Sequence, residues 1–237
     1  MMNPNISKIA SLLSDSTRSA ILLSLMDGRI HPASELAFLA KVKPQTASFH
    51  LHKMLEANLI NVEKHGRHRY YKLINSDVAK VIEQMLSISP NSPVTSFRES
   101  REKEAIHFAR TCYDHLAGYL GVQITNSLLE QGFIKKVDLN FEVTPEGIEF
   151  FRDFGINLEE QKKKRRAFAR CCLDWSERQH HLAGALGNAL LLKMIERQWI
   201  TRTPKIRAVK VTPTGKIELQ KLFKFDYENN LYTFEES

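Results

Sequence analysis

Two phrases of this 237-residue sequence carry all three of its cysteines: FARTCYDHLAG at 108–118 and FARCCLDWSERQHHLAG at 168–184. Cys112 and His115 stand three apart, a helical spacing that turns both side chains to one face. The second phrase answers with Cys171 or Cys172 and with His180 or His181. Thiolate and imidazole are the donors of zinc and of softer ions, and a thiol in a polarising environment can also sense oxidants. The competing reading is plainer: buried free cysteines fill contacts as small hydrophobes, with histidines hydrogen-bonding beside them. Core packing is the favoured reading, and Cys112, His115, Cys171, Cys172 and His181 are kept as an effector or thiol site. Cys171 and Cys172 would point about 100° apart on a helix and do not make one site by adjacency. Arg110 with Asp114, and Arg170 with Asp174, fall four apart, the spacing of a helical ion pair.

A second group of chemistry-bearing residues lies nearer the start. Between Lys43 and Lys72 there are six Lys or Arg against two Glu, and four of the nine histidines. PQTASFHLHKMLEA, at 44–57, turns Ala47, Leu51, Met54 and Leu55 to one side of a helix. That leaves Lys43, Gln45, Thr46, Ser48, Phe49, His50, His52 and Lys53 near the first turns and outer face. Such side chains exchange hydrogen bonds with base edges, meet a thymine methyl, or pair with phosphate. His50 and His52, two apart on a helix, face different ways and cannot share a metal. The following NLINVEKHGRHRYYKLI alternates on both sides of His65-Gly66 and reads as a hairpin. Its tip offers Lys64, His65, Arg67, His68 and Arg69 to a phosphate backbone.

The elements that must hold these residues can be read in turn. SKIASLL and TRSAILLSLM give two short helices, the second stopped at Gly28. Pro32 opens a third, and Lys41-Val42-Lys43 turns the chain into the helix begun by Pro44, a helix-turn-helix arrangement. D-x-T-R at Asp15 to Arg18, SELA at Ser34 to Ala37, P-Q-T-A-S-x-H-L at Pro44 to Leu51 and G-R-x-x-Y-Y at Gly66 to Tyr71 together resemble the winged helix-turn-helix of the ArsR/SmtB-type bacterial repressors. The resemblance covers about a third of the chain. It implies a homodimer that binds a double-stranded DNA operator and is released by an effector. Metal-sensing members carry Cys-x-Cys in the helix before the recognition helix. This sequence has His31-Pro32-Ala33-Ser34-Glu35 there, so that soft-metal site is absent and His31 reads as a loop residue.

Residues 76–88 form a helix with Val78, Val81, Ile82, Met85 and Leu86 on one broad face, which the resemblance assigns, with the first helix, to the dimer contact. Residues 89–96 read as a linker. Beyond it the chain repeats itself: 108–114 with 168–174, 115–134 with 181–200 and 143–147 with 211–215 give 17 identities in 32 aligned positions, an internal duplication. Each copy ends a helix with Leu-Glu-Gln-Gly-Phe-Ile or Ile-Glu-Arg-Gln-Trp-Ile, continues in strand-like residues and reopens at Val-Thr-Pro-x-Gly. Thr144 and Thr212 are expected N-caps, with Pro145 and Pro213 at the first helical position. LAGYLGVQITNSLLEQ and LAGALGNALLLKMIERQ are apolar nearly all round and so belong inside, not against a ligand. The glycine pairs Gly118/Gly121 and Gly184/Gly187 suit close helix approach.

The expected fold is mainly α with short β-hairpins: a winged helix-turn-helix at 1–90 and two tandem winged-helix-like repeats, 91–156 and 157–237. The repeats should pack as a pseudo-symmetric pair with a groove between them. Composition agrees with a globular protein, at 43% hydrophobic and 26% charged residues. No apolar run is long enough for a membrane span and the start lacks a leader pattern, so a cytoplasmic protein is expected. Three cysteines, two adjacent, do not make a disulfide framework. No phosphate loop, H-E-x-x-H or nucleophile motif is present, and no enzyme is expected. The run Lys162 to Arg166 reads as a solvated helix start. A net charge of +7 favours a polyanionic partner. The functional expectation is an effector-responsive dimeric repressor, with a protein-binding module of winged helices as the alternative. The effector is left unknown; no metal is required for DNA binding, though zinc or a softer ion could serve.

Overall fold

The computed structural model describes residues 5–66, 68–90 and 96–225, and divides the chain into two compact units, 1–82 and 83–237. Arg67 and most of the 89–96 linker lie outside the described residues.

The first unit begins with α1 (Ile6–Leu13) and α2 (Ser16–Ser24). Asp15 caps α2 by accepting from the Arg18 amide at 2.9 Å. The Arg18 side chain reaches back to the Leu12 and Ser11 carbonyls at 2.7 and 2.9 Å, satisfying groups that a helix end leaves without partners. The D-x-T-R motif thus sets the corner between the two helices. Next come β1 (His31–Pro32), α3 (Ala33–Leu39), α4 (Pro44–Glu56), β2 (Ile60–His65) and β3 (His68–Leu73). The sheet order is β1-β3-β2, and His65 opposite His68 closes the hairpin. Ile21, Leu22, Leu36, Leu51, Met54 and Leu73 form the core beneath α4. This is a winged helix-turn-helix. The helix α5 (Ser76–Ile88) follows, its start capped by Asn75, which accepts from the Asp77 and Val78 amides.

The second unit contains the duplication. After α6 (Phe97–Phe108), the first copy runs β4 (Arg110–Cys112), β5 (His115–Ala117), α7 (Gly118–Glu130), β6 (Ile134–Val137), β7 (Asn140–Val143) and α8 (Pro145–Asp153). After α9 (Leu158–Lys162), the second runs β8 (Arg170–Leu173), β9 (His180–Ala183), α10 (Gly184–Glu196), β10 (Ile200–Arg202), β11 (Val209–Val211) and α11 (Pro213–Phe223). Thr144 and Thr212 cap α8 and α11 as expected, accepting from the Gly147 and Gly215 amides at 3.0 and 2.9 Å. The two apolar helices, α7 and α10, are largely buried.

The copies exchange contacts reciprocally. Phe141 donates its amide to Ala169 at 2.9 Å, and Val209 donates to Ala109 at 2.8 Å; Cys171 donates to Leu139 at 3.0 Å, and Thr111 to Arg207 at 2.9 Å. Each copy's short hairpin therefore docks on the other copy's wing, a pseudo-two-fold arrangement, and one hydrophobic core, from Phe108 to Phe225, serves both.

Four expectations are corrected here. The cysteine phrases are not helical: both fold as hairpins, with Tyr113 at φ +59° in the first turn and Arg178 at φ +55° in the second. Short strands of mixed polarity offer too little periodicity to separate the two states. The expected Arg-Asp pairs are replaced across copies, since Arg110 binds Asp174 at 2.8 Å and Asp114 binds Arg166. Gly121 and Gly187 allow close approach not to a helix but to the preceding strand, where an added Cβ would lie 2.7 Å from the Leu116 carbonyl oxygen or 2.3 Å from that of Leu182. The basic run also differs: Lys162 ends α9 and does not begin a helix.

Candidate nucleic-acid interface and a buried cysteine and histidine cluster

Recognition chemistry on α4 depends on which side the core takes. Ala47, His50, Leu51 and Met54 are buried, at i, i+3, i+4 and i+7. Lys43, Gln45, Thr46, Ser48, Phe49, His52 and Lys53 are exposed. His50 is therefore removed from the candidate contacts. Its Nδ1 lies 3.3 Å from Arg18 Nη1 and 3.7 Å from Asp15 Oδ1, tying α4 to the corner of α2. Phe49 is 56% exposed, and the Lys53 ammonium sits 4.2 Å from its ring centroid. An aromatic of that size kept at the surface of a recognition helix offers an apolar face to a partner.

The wing presents Lys64, His65, His68 and Arg69 on exposed positions. Beneath the tip, Glu63 pairs with Lys72 and lies 3.5 Å from His65 Nε2. Lys72 neutralises Glu63, which holds that carboxyl below its ordinary range. An open cleft between α4 and the wing is lined by Ser48, His52, His68 and Arg69. Behind this face, His31 is buried in β1. Its Nε2 is 3.0 Å from Asp27 Oδ1, and its Nδ1 is 3.1 Å from Glu35 Oε2. Burial alone would lower the His31 pKa, but the two carboxylates outweigh it and raise it.

The cysteine phrases converge. Cys112 stands directly across from His115 in one hairpin, and Cys172 across from His181 in the other. The hairpins place Cys112 Sγ 3.8 Å from Cys172 Sγ, and His115 Nε2 3.1 Å from His181 Nε2. Cys112, His115 and His181 are buried, and Cys172 is partly so. Each ring turns its other nitrogen towards the aspartate of its own copy: His115 Nδ1 to Asp114 at 3.4 Å, His181 Nδ1 to Asp174 at 3.3 Å, the latter off the hydrogen-bond line. Cys172 beside it, and then burial, push the Cys112 thiol far up. Burial opposes charge on His181, yet Asp174 and Cys112 raise it to about 9. Asp114, despite burial, is lowered to about 2 by His115 and Arg166.

Cys171 is left out, because adjacent strand residues face opposite ways. It lies in the shared hydrophobic core. The sequence reading missed Asp114 and Asp174 as partners of the histidines, and the duplication was the signal that could have found them, since each copy carries one.

The first unit thus defines a winged helix-turn-helix protein whose recognition helix keeps a polar, partly aromatic outer face. A helix-turn-helix domain family matches residues 13–63. The HTH-type transcriptional regulator YdfF of Bacillus subtilis (strain 168) is 70% identical over 220 residues, spanning 93% of this chain and 97% of that protein. The chain belongs to this family of HTH-type, DNA-binding transcriptional regulators. Among solved structures, the homodimeric winged helix-turn-helix domain Mb0332 of Mycobacterium bovis, a possible ArsR-family regulator, is similar at 21% identity and a TM-score of 0.32, covering 34% of this chain and 73% of that one. NolR of Sinorhizobium fredii is similar at 21% identity and a TM-score of 0.34, over 38% of this chain and 100% of that one. Among the described residues no helix is long and apolar enough to cross a membrane.

Proposed function

We propose that the protein is a dimeric repressor that lays α4 in the major groove of a pseudo-palindromic operator, sets its wings on the flanking phosphates, and receives its effector in the duplicated region, 91–237. The observation that carries the DNA reading is the division of α4 into a buried apolar stripe and an exposed face of Gln45, Thr46, Ser48, Phe49 and Lys53. Gln and Ser exchange hydrogen bonds with base edges, while the wing's Lys64 and Arg69 carry charge without sequence information. Dimerisation is supported by α5, along which Val81 and Met85 are 47% and 41% exposed at i and i+4. A second copy would cover that stripe and double the recognition helices, matching a two-fold operator.

The test is fluorescence anisotropy with a duplex from the protein's own promoter, titrated at several salt concentrations. Lys64→Ala and Arg69→Ala should each weaken binding across sequences and reduce the slope of log affinity against log salt by about 1. Unchanged slopes in both variants would remove the wing from the interface.

A further inference from the structure

We propose that Cys112, His115, Cys172 and His181 form a tetrahedral site for a thiophilic divalent cation of the zinc class, each repeat supplying one cysteine and one histidine. The four donor atoms lie within 4.8 Å of one another. Zinc bonds of about 2.3 Å to sulfur and about 2.05 Å to nitrogen, at tetrahedral angles, set edges of about 3.8 Å between sulfurs and about 3.4 Å between nitrogens. The observed edges are 3.8 and 3.1 Å. Two of the six edges are therefore already close to those of such a site and the others lie within 4.8 Å, whereas a disulfide would need the sulfurs to close to about 2.05 Å.

The histidines argue against core packing as the whole account. His115 Nδ1 lies 3.4 Å from Asp114, His181 Nδ1 faces Asp174 off the hydrogen-bond line, and the two Nε2 atoms approach to 3.1 Å inside the protein. A cation placed there would take both Nε2 atoms as ligands. Ligating histidines characteristically turn their second nitrogen to a carboxylate, which fixes the tautomer. Both aspartates are in turn held by arginines, Asp114 by Arg166 and Asp174 by Arg110. Their charge is thus balanced, and the two thiols, releasing their protons to solvent as the ion binds, would neutralise its two charges.

The duplication supplies an independent observation. Cys, Asp and His of the cluster occur in both copies, while the interleaved positions differ, Thr111 against Cys171 and Tyr113 against Leu173. The pseudo-two-fold relation brings the equivalent residues face to face, so neither copy holds a complete site alone. Four protein ligands and near-complete burial define a closed site, and the half-buried Cys172 marks the side from which an ion enters. Bound there, the ion would tie the hairpin β4-β5 to β8-β9. Its role as the effector rests on the regulatory reading above, but the site itself does not.

The test uses the full chain, reduced and stripped with a chelator, titrated with cobalt(II) in the absence of DNA. One equivalent should give the ligand-field bands of a tetrahedral site and a thiolate charge-transfer band, both abolished by zinc. Cys112→Ser and Cys172→Ser should each weaken binding by about tenfold or more, while Cys171→Ser leaves the spectrum intact; circular dichroism reports whether each variant folds. In the unmodified protein, one equivalent of zinc should protect Cys112 and Cys172 from alkylation and leave Cys171 at its metal-free rate, a readout that needs no variant. Cobalt remaining six-coordinate, loss of the spectrum in Cys171→Ser to the same degree, or no zinc protection of Cys112 and Cys172 would overturn the site. Promoter binding on the same samples separates the claims: absent metal binding with intact DNA binding sinks only the site, and the reverse sinks only the DNA reading.

Discussion

Arg110 has no side-chain exposure, and its guanidinium lies 2.8 Å from Asp174, 3.0 Å from Ser176 Oγ and 4.4 Å from the Trp175 ring centroid. Removing one partner of a buried pair strands the other charge, so Arg110→Met should cost about 3 to 5 kcal/mol in urea unfolding of the second unit. A loss below about 1 kcal/mol would mean that Asp174 is held well enough by the Gly118, Ser176 and Glu177 amides alone. His31 gives a pH prediction in the first unit. Its folded pKa is raised, so its contribution is complete below about pH 6.5, the unfolded value, and is lost as pH rises through the folded one. The Asp27 pKa is lowered, so its contribution is present above about pH 3.9 and is lost as pH falls through the folded value. Stability of the first unit should therefore decline as pH rises above about 6.5 in denaturation of the full chain, and His31→Gln should flatten that decline; an identical pH profile in the variant would contradict the assignment. Residue types made Cys112 and His115 visible in the sequence through a helical spacing that the fold does not use. In a tight hairpin, residues three apart become a cross-strand pair, so two geometries predict the same meeting. Choosing Cys172 over Cys171 needs strand register, because a one-residue shift exchanges the two faces.

At the scale of elements, the helix starts and stops are local events, and they were legible. Pro44 opens α4, Asp15 caps α2, and Gly28, at φ +71°, closes the turn after it. Gly118 and Gly184 show what was not. Each has a φ near +80°, and an added Cβ would lie 2.7 or 2.6 Å from the carbonyl oxygen of His107 or Ala167. That is the requirement of a strand turning abruptly into a helix, a junction a helix-to-helix reading has no use for. The inward turn of His50 was hidden for another reason: its position fits the buried stripe, but its polar type suggested the outer face. On α5 the exposed Val81 and Met85 are the residues through which the proposed dimer would form. Val81→Glu with Met85→Glu should shift the protein from dimer to monomer in sedimentation equilibrium while leaving its helix content unchanged. A dimer that survives both charges would place the interface elsewhere.

Over the whole molecule, two related structural grammars serve different ends. The first unit spends its recognition helix on the surface, whereas the copies in the second bury theirs and use cross-repeat hairpins as the contact. The internal repeat made the presence of two copies in the second unit readable, but their shared core could not be read from it, because periodicity says which face is apolar and not which neighbour covers it. The polar outer face of α4 is the central claim, and competition anisotropy tests it most directly. Unmodified protein should prefer its promoter duplex over a shuffled duplex at equal salt. Gln45→Ala with Ser48→Ala should lose about 1 to 3 kcal/mol of that preference per base contact while keeping its affinity for the shuffled duplex. A preference that survives intact in the double variant would contradict the assignment of α4 as the element that reads sequence.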